Sequence, residues 1–205
     1  MKFLSRMALA AGLALGAAPA SAQLATDVPA GTFKVDPAHA SLTWRVLHMG
    51  LANYTARFTK LDATLTFDPA KPEAAKLTAT IDPASIKTDY PFPEKENFDK
   101  VLFESAKWFN GSVAKSITFT STGVRMTGAK TADVTGDLTL LGVTKPVTLK
   151  VTFNGGMASH PFTKKPAIGF SAAGTVKRSE FGMTNGIPVI ADDVNLVIEA
   201  EFVGG

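Results

Sequence analysis

The sequence predicts an all-β, antiparallel fold of about eight or nine strands with one short amphipathic helix. Three observations carry that prediction. Runs in which apolar and polar residues strictly alternate recur along the chain, and such runs give a strand one apolar and one polar face. Turn-forming residues separate the runs at short spacing. One segment alone shows helical spacing. Many strands and a single helix close as a sandwich or an antiparallel barrel.

The first 22 residues stand apart from this pattern. MKFLSRMALAAGLALGAAPASA places Lys2 and Arg6 before an apolar run and ends in Ala20-Ser21-Ala22. That is the pattern of a secretory signal peptide cleaved after Ala22, and it predicts export to the periplasm. The apolar run is shorter than the roughly 20 residues a membrane-spanning helix needs. Residues 23–31 (QLATDVPAG) lack periodicity and read as an N-terminal leader. Residues 32–205 suit one domain with a core of its own.

Composition narrows the function classes. There is no cysteine, so there are no disulfides despite the predicted export. Lys2 and Arg6 depart with the signal peptide and no acid does, so 19 basic residues face 18 acidic ones. No basic run marks a nucleic-acid binder, and no such partner is expected.

The elements follow in order. Phe33 and Val35 alternate first, then Leu42, Trp44 and Val46. Leu61, Ala63, Leu65 and Phe67 form the next run, ended by Asp68-Pro69. Phe58 and Leu61 have opposite parity, which predicts a bulge or kink near Thr59 and Lys60. Leu77, Ala79 and Ile81 precede Asp82-Pro83. In PFPEKENFDKVLF, Phe98, Val101 and Leu102 have helical spacing, and Pro93 and Glu94 suit a helix start, so a helix is expected over residues 93–102. Ile117 and Phe119 resume the alternation, followed by Val124 and Met126. GDLTLLGVTKPVTLKVTFN (136–154) reads as a hairpin: Leu138 and Leu140, a turn at Gly142, then Val147, Leu149, Val151 and Phe153. Pro146 is tolerable near a strand start. Ile168, Phe170, Ala172, Gly174 and Val176 alternate next, and Val194, Leu196, Ile198, Ala200 and Phe202 finish the chain.

Little catalytic chemistry is on offer. The three histidines, His39, His48 and His160, match no zinc spacing, so neither a metal nor a cofactor is expected. There is no thiol, nucleophile elbow, P-loop or dinucleotide fingerprint, and no residue is assigned a catalytic role. Asp192-Asp193 reads as a solvated strand start rather than a glycosidase pair. The apolar faces are the informative feature. They mix large residues (Trp44, Phe67, Phe119) with small ones (Ala63, Ala79, Gly136, Gly174). Such a mixture either fills the taper of a small barrel or leaves room for one ligand. An outer-membrane barrel is disfavoured by the helix, the uneven strand spacing and the lack of aromatic girdles.

Several stretches, in order, resemble the YceI-like family of exported proteins. FKVDPAHASLTWRVLHMGLANYTARF looks like that family's opening, with Asp36, His39, Ser41, His48, Gly50 and Phe58 in matching places. ENFDKVLFESAKWFN followed by SITFTS resembles its helix and next strand, VTGDLTLLGVTKPVTLKV its strongest signature, and VKRSEFGM its Arg-x-Asp-Phe-Gly motif with Glu180 for the aspartate. IADDVNLVIEAE matches its last strand. The resemblance implies an antiparallel eight-stranded lipocalin-like β-barrel around a long apolar tunnel. It also implies a carrier of a long-chain isoprenoid, isoprenoid quinone or fatty-acyl lipid.

With a tunnel in view, the inner faces become candidate lipid-binding residues: Leu42, Trp44, Val46, Phe58 and Leu65 from the first half, and Phe119, Leu140, Leu149 and Phe170 from the second. His39, His48 and Arg178 are the candidates for a polar rim or head-group contact. Arg178 and Glu180, two apart on an extended strand, are expected to share a face and pair; the alternative is that Arg178 only packs its stem. Ile187-Pro188-Val189-Ile190 is an apolar loop that needs cover in water, as a lid, a homodimer contact or a transient membrane contact. Two other classes stay open: an enzyme acting on a hydrophobic molecule inside the barrel, and a ligand-free structural partner with a filled barrel.

Overall fold

The computed structural model describes residues 23–205. The predicted signal peptide, residues 1–22, lies outside the described residues. Ten strand segments and one α-helix follow in chain order: β1 (Gly31–His48), β2 (Ala52–Phe58), β3 (Leu61–Phe67), β4 (Lys76–Ile81), β5 (Ile86–Lys87), α1 (Phe98–Glu104), β6 (Ile117–Met126), β7 (Thr131–Leu140), β8 (Val143–Met157), β9 (Ala167–Lys177) and β10 (Ile190–Gly204). All pairings are antiparallel, and β10 pairs back onto β1, so the sheet closes on itself. β2 with β3, and β4 with β5, are each one strand broken in the middle. The result is a closed eight-stranded barrel with a helix, as the sequence predicts.

The two breaks sit against each other. Ser85, buried in the turn before β5, accepts at Oγ from the amides of Thr59 (3.2 Å) and Lys60 (3.0 Å). Its own hydroxyl donates to the Asp82 carbonyl at 2.6 Å. One serine thus serves the backbone groups freed where the ladder stops, and the parity change between Phe58 and Leu61 falls here. β1 carries a second irregularity. Val35 faces Phe202 but Ala40 faces Ala200, so three extra residues bulge from β1. Asp36 ties the bulge by accepting from Ala38 N and meeting His39 Nδ1, both at 2.9 Å. The runs at Phe33 and at Leu42 are therefore parts of one bent strand.

The helix differs from expectation. It begins at Phe98, not residue 93, because Asn97 takes the cap: its side chain accepts from Lys100 N at 3.1 Å. Pro93 and Glu94 belong to a preceding turn. Asp99 pins the helix to the barrel by accepting from Thr88 N (2.8 Å) and Thr88 Oγ1 (2.6 Å). Phe98 and Leu102 then face the interior.

Residues 23–30 have no regular structure, yet Leu24 and Val28 are each only 3% exposed. They pack into the cluster of Phe33, Leu65, Phe67, Phe153 and Ile168, and Leu24 N donates to Pro69 O at 3.0 Å. A side chain on Gly156 would meet Val28 Cγ2 at 2.5 Å, so that glycine makes the seat for the leader.

Candidate functional site

The barrel encloses a cavity of about 780 Å³. That lies within the roughly 300–1,000 Å³ typical of small-molecule sites, so the interior is not filled by side chains. The wall is almost wholly apolar because the inward parity of nearly every strand is Leu, Val, Ile, Phe or Ala. At one end, the base, Phe170 stands at the centre of a ring cluster, with centroids 6.0 Å from Phe67, 5.8 Å from Phe153 and 6.2 Å from Phe202. The leader packs against this end. At the other end, α1 and the segment after it bring Leu102, Trp108 and Phe109 into the wall. Phe109 meets Phe58 edge-on at 5.5 Å.

All nine expected apolar residues, Leu42, Trp44, Val46, Phe58, Leu65, Phe119, Leu140, Leu149 and Phe170, stand on this wall. The three polar candidates are not brought together. His48 lines the cavity at the end of β1. His39 sits on the outer bulge, 60% exposed, where the Asp36 carboxylate raises its pKa and its own is lowered in turn. Among the described residues no group of three or more His, Cys, Asp or Glu is placed to hold a metal ion.

Arg178 corrects the expectation of a rim ion pair with Glu180. The extended strand ends at Lys177, and Arg178 opens a 3₁₀ turn over Arg178–Phe181, closed by Gly182 at φ 85°. Arg178 is 3% exposed, and its guanidinium donates to four backbone carbonyls. Nε donates to Ala191 (2.9 Å), Nη1 to Met183 (2.9 Å) and Asn185 (2.8 Å), and Nη2 to Ile190 (2.8 Å). Burial pushes its pKa down, and the nearby Asp192 opposes that. Its face lies 5.7 Å from the Trp108 ring. Arg178 is thus the anchor of the 183–191 loop. Asp192 also departs from the solvated reading: it accepts from Ser179 N and Oγ, both at 2.8 Å.

That loop borders the cavity mouth. Val189 O accepts from Met49 N at 2.8 Å, joining the loop to the β1–β2 hairpin. Leu47 (41% exposed), Met49 (59%), Leu51 (84%) and Val189 (53%) form an apolar lip there. Residues 46–56 and 183–191 contain no Lys, Arg, Asp or Glu.

The sequence matches the family model of the YceI-like domain over residues 33–202. The chain belongs to the YceI-like family. It is 39% identical over 175 residues to a UPF0312 protein of Pseudomonas fluorescens, a match covering 84% of this chain and 85% of the relative. Among solved structures of similar fold, the Campylobacter jejuni YCEI protein shares 30% identity at a TM-score of 0.67, over 78% of this chain and 90% of that one. Burkholderia cenocepacia BcnA shares 25% at a TM-score of 0.69, over 82% and 98%. A polyisoprenoid-binding domain from Saccharophagus degradans shares the fold, with 14% identity and a TM-score of 0.63. Sequence reasoning missed Trp108 and Phe109, which lie outside any periodic run. It also missed Tyr54, whose parity with Ala56 and Phe58 in ANYTARF already placed it on the inner face.

Proposed function

We propose that this YceI-like barrel is an exported carrier holding one long-chain isoprenoid, isoprenoid quinone or fatty-acyl lipid. The observation that carries the reading is the cavity itself: about 780 Å³, with an almost wholly apolar wall that reaches the Phe170 cluster. An apolar interior of that size gains by taking hydrocarbon from water, at roughly 0.8 kcal/mol per buried methylene. The nine wall residues are the lipid contacts in this reading. The shared fold of a neighbour described as polyisoprenoid-binding supports the ligand class. Among the described residues that line the wall, none pair as nucleophile and base, which supports binding over turnover.

The uncharged lip at the mouth serves as the entrance. Leu47, Met49, Leu51 and Val189 rest transiently on a membrane while lipid passes, which agrees with four exposed apolar side chains on two segments, 46–56 and 183–191, that carry no charged residue of their own. Export rests on the signal peptide, and N-terminal sequencing of periplasmic protein should begin at Gln23. Mass spectrometry of protein purified from its own periplasm tests the carrier. One long-chain lipid per barrel is expected; protein that carries none and takes up none from vesicles refutes it.

A further inference from the structure

Leu24 is the one residue of the 23–30 leader that stands on the cavity wall. It lies at the base, in the cluster that holds Phe67, Phe153 and Phe202. Val28 is as deeply buried as Leu24 but does not reach the cavity. Of the two, Leu24 faces the interior, and Val28 fastens the segment in the seat that Gly156 leaves for it.

The points of attachment lie on opposite walls. Leu24 N donates to the carbonyl of Pro69, just past the end of β3. Asp27 Oδ1 accepts from Ala158 N at 3.2 Å, just past the end of β8. Around the closed ring, β3 and β8 have three strands between them in either direction: β4, β6 and β7 one way, β1, β10 and β9 the other. The leader therefore crosses the width of the base before the chain turns back into β1, where Gly31 pairs with Phe67. An eight-stranded barrel is only wide enough inside for side chains or one small ligand, so a single strap can close it.

We propose that the leader is the floor of the binding cavity and that Leu24 sets the length of hydrocarbon the barrel accepts. This rests on the carrier reading and deepens it, since the depth of the site then comes from a segment outside the barrel strands. A tail shorter than the cavity gains burial with each added carbon. Once its end meets Leu24, a further carbon must stay in water at the mouth or push the leader from its seat, which exposes Leu24 and Val28. Affinity then stops rising with length.

The test titrates delipidated mature protein with unbranched fatty alcohols that lengthen two carbons at a time, read by displacement of a fluorescent acyl probe. Wild-type affinity should rise about fourfold per methylene until the tail reaches the floor, then level off. Leu24→Ala removes three carbons from the floor, so its plateau should begin about two to three methylenes later. Alcohols of that extra length should bind it about tenfold tighter than they bind the wild type. Leu24→Phe should bring the plateau earlier. Alcohols short of every plateau should bind the three proteins alike, which general damage to the fold would not give. Should Leu24→Ala fail to fold, Leu24→Phe carries the test by the shortened plateau. A wild type that never levels off, one plateau shared by all the proteins, or a loss of affinity equal at every length overturns the floor and leaves the carrier standing. A wild type that binds neither the acyl probe nor any alcohol overturns both.

Discussion

Replacing Ala172 with phenylalanine distinguishes a hollow barrel from a filled one by the sign of the stability change. Ala172 lies on β9 between Val151 of β8 and Ile198 of β10, on the cavity wall. In the lipid-free barrel a phenyl ring there enters open apolar space. Burying it stabilises the fold by about 1.5–3 kcal/mol relative to leaving it in water. The same six ring carbons occupy space that about six methylenes of lipid would use. At roughly 0.8 kcal/mol each, up to about 5 kcal/mol of lipid binding is lost, more than a thousandfold in Kd. Urea unfolding of delipidated wild type and variant reads the first effect, and lipid content by mass spectrometry reads the second. In a filled barrel the ring would overpack the core and cost about 1–3 kcal/mol. A destabilised Ala172→Phe protein that carries wild-type lipid would refute the cavity as the binding site.

Three further outcomes are expected. Gly136→Ala should destabilise by about 1–3 kcal/mol in chemical unfolding, because the new methyl would lie 2.3 Å from Phe119 Cζ and 2.6 Å from the Thr120 carbonyl oxygen. Arg178→Met strips four carbonyls of their donor, one buried and three partly buried, so limited proteolysis should cut first within 183–191, and stability should fall by at least the roughly 1–3 kcal/mol of one unpaired buried group. Asp133 has a lowered pKa, chiefly through its bond from Lys150 with Arg125 adding to it. A depressed carboxyl stabilises the fold above the ordinary value of 3.8, and that contribution is lost as pH falls through the lower folded value. Asp133→Asn should therefore flatten the acid limb of the stability–pH curve.

The barrel was legible because its strands bury one face, so alternation alone sorted Leu65, Phe119, Leu140 and Phe170 to the inside. Tyr54 shares the parity of Ala56 and Phe58, but the run around it is too short to stand out. What was not legible depends on backbone partners. Arg178 acts on four carbonyls, which belong to no residue type and leave no pattern in a sequence. The rule that residues two apart share a face lapsed when the strand ended at Lys177. The helix start was misplaced because Pro93 and Asn97 are both plausible openers, and only Asn97 completes a bond to a backbone amide. The leader showed no period because two anchors, Leu24 and Val28, suffice to seat it.

The seam between β1 and β10 has a consequence for how the chain reaches this structure. Phe33 pairs with Gly204 and Val46 with Val194, partners about 150 to 170 residues apart, so the ring closes only through contacts of very high sequence separation. Until the last strand docks, the growing sheet is an open ribbon, and β1 exposes one row of unpaired amides and carbonyls. An intermediate of that kind invites strand addition from another molecule. Loss of the final strand should accordingly yield aggregates rather than a smaller barrel, and slow, single-step closure should govern refolding.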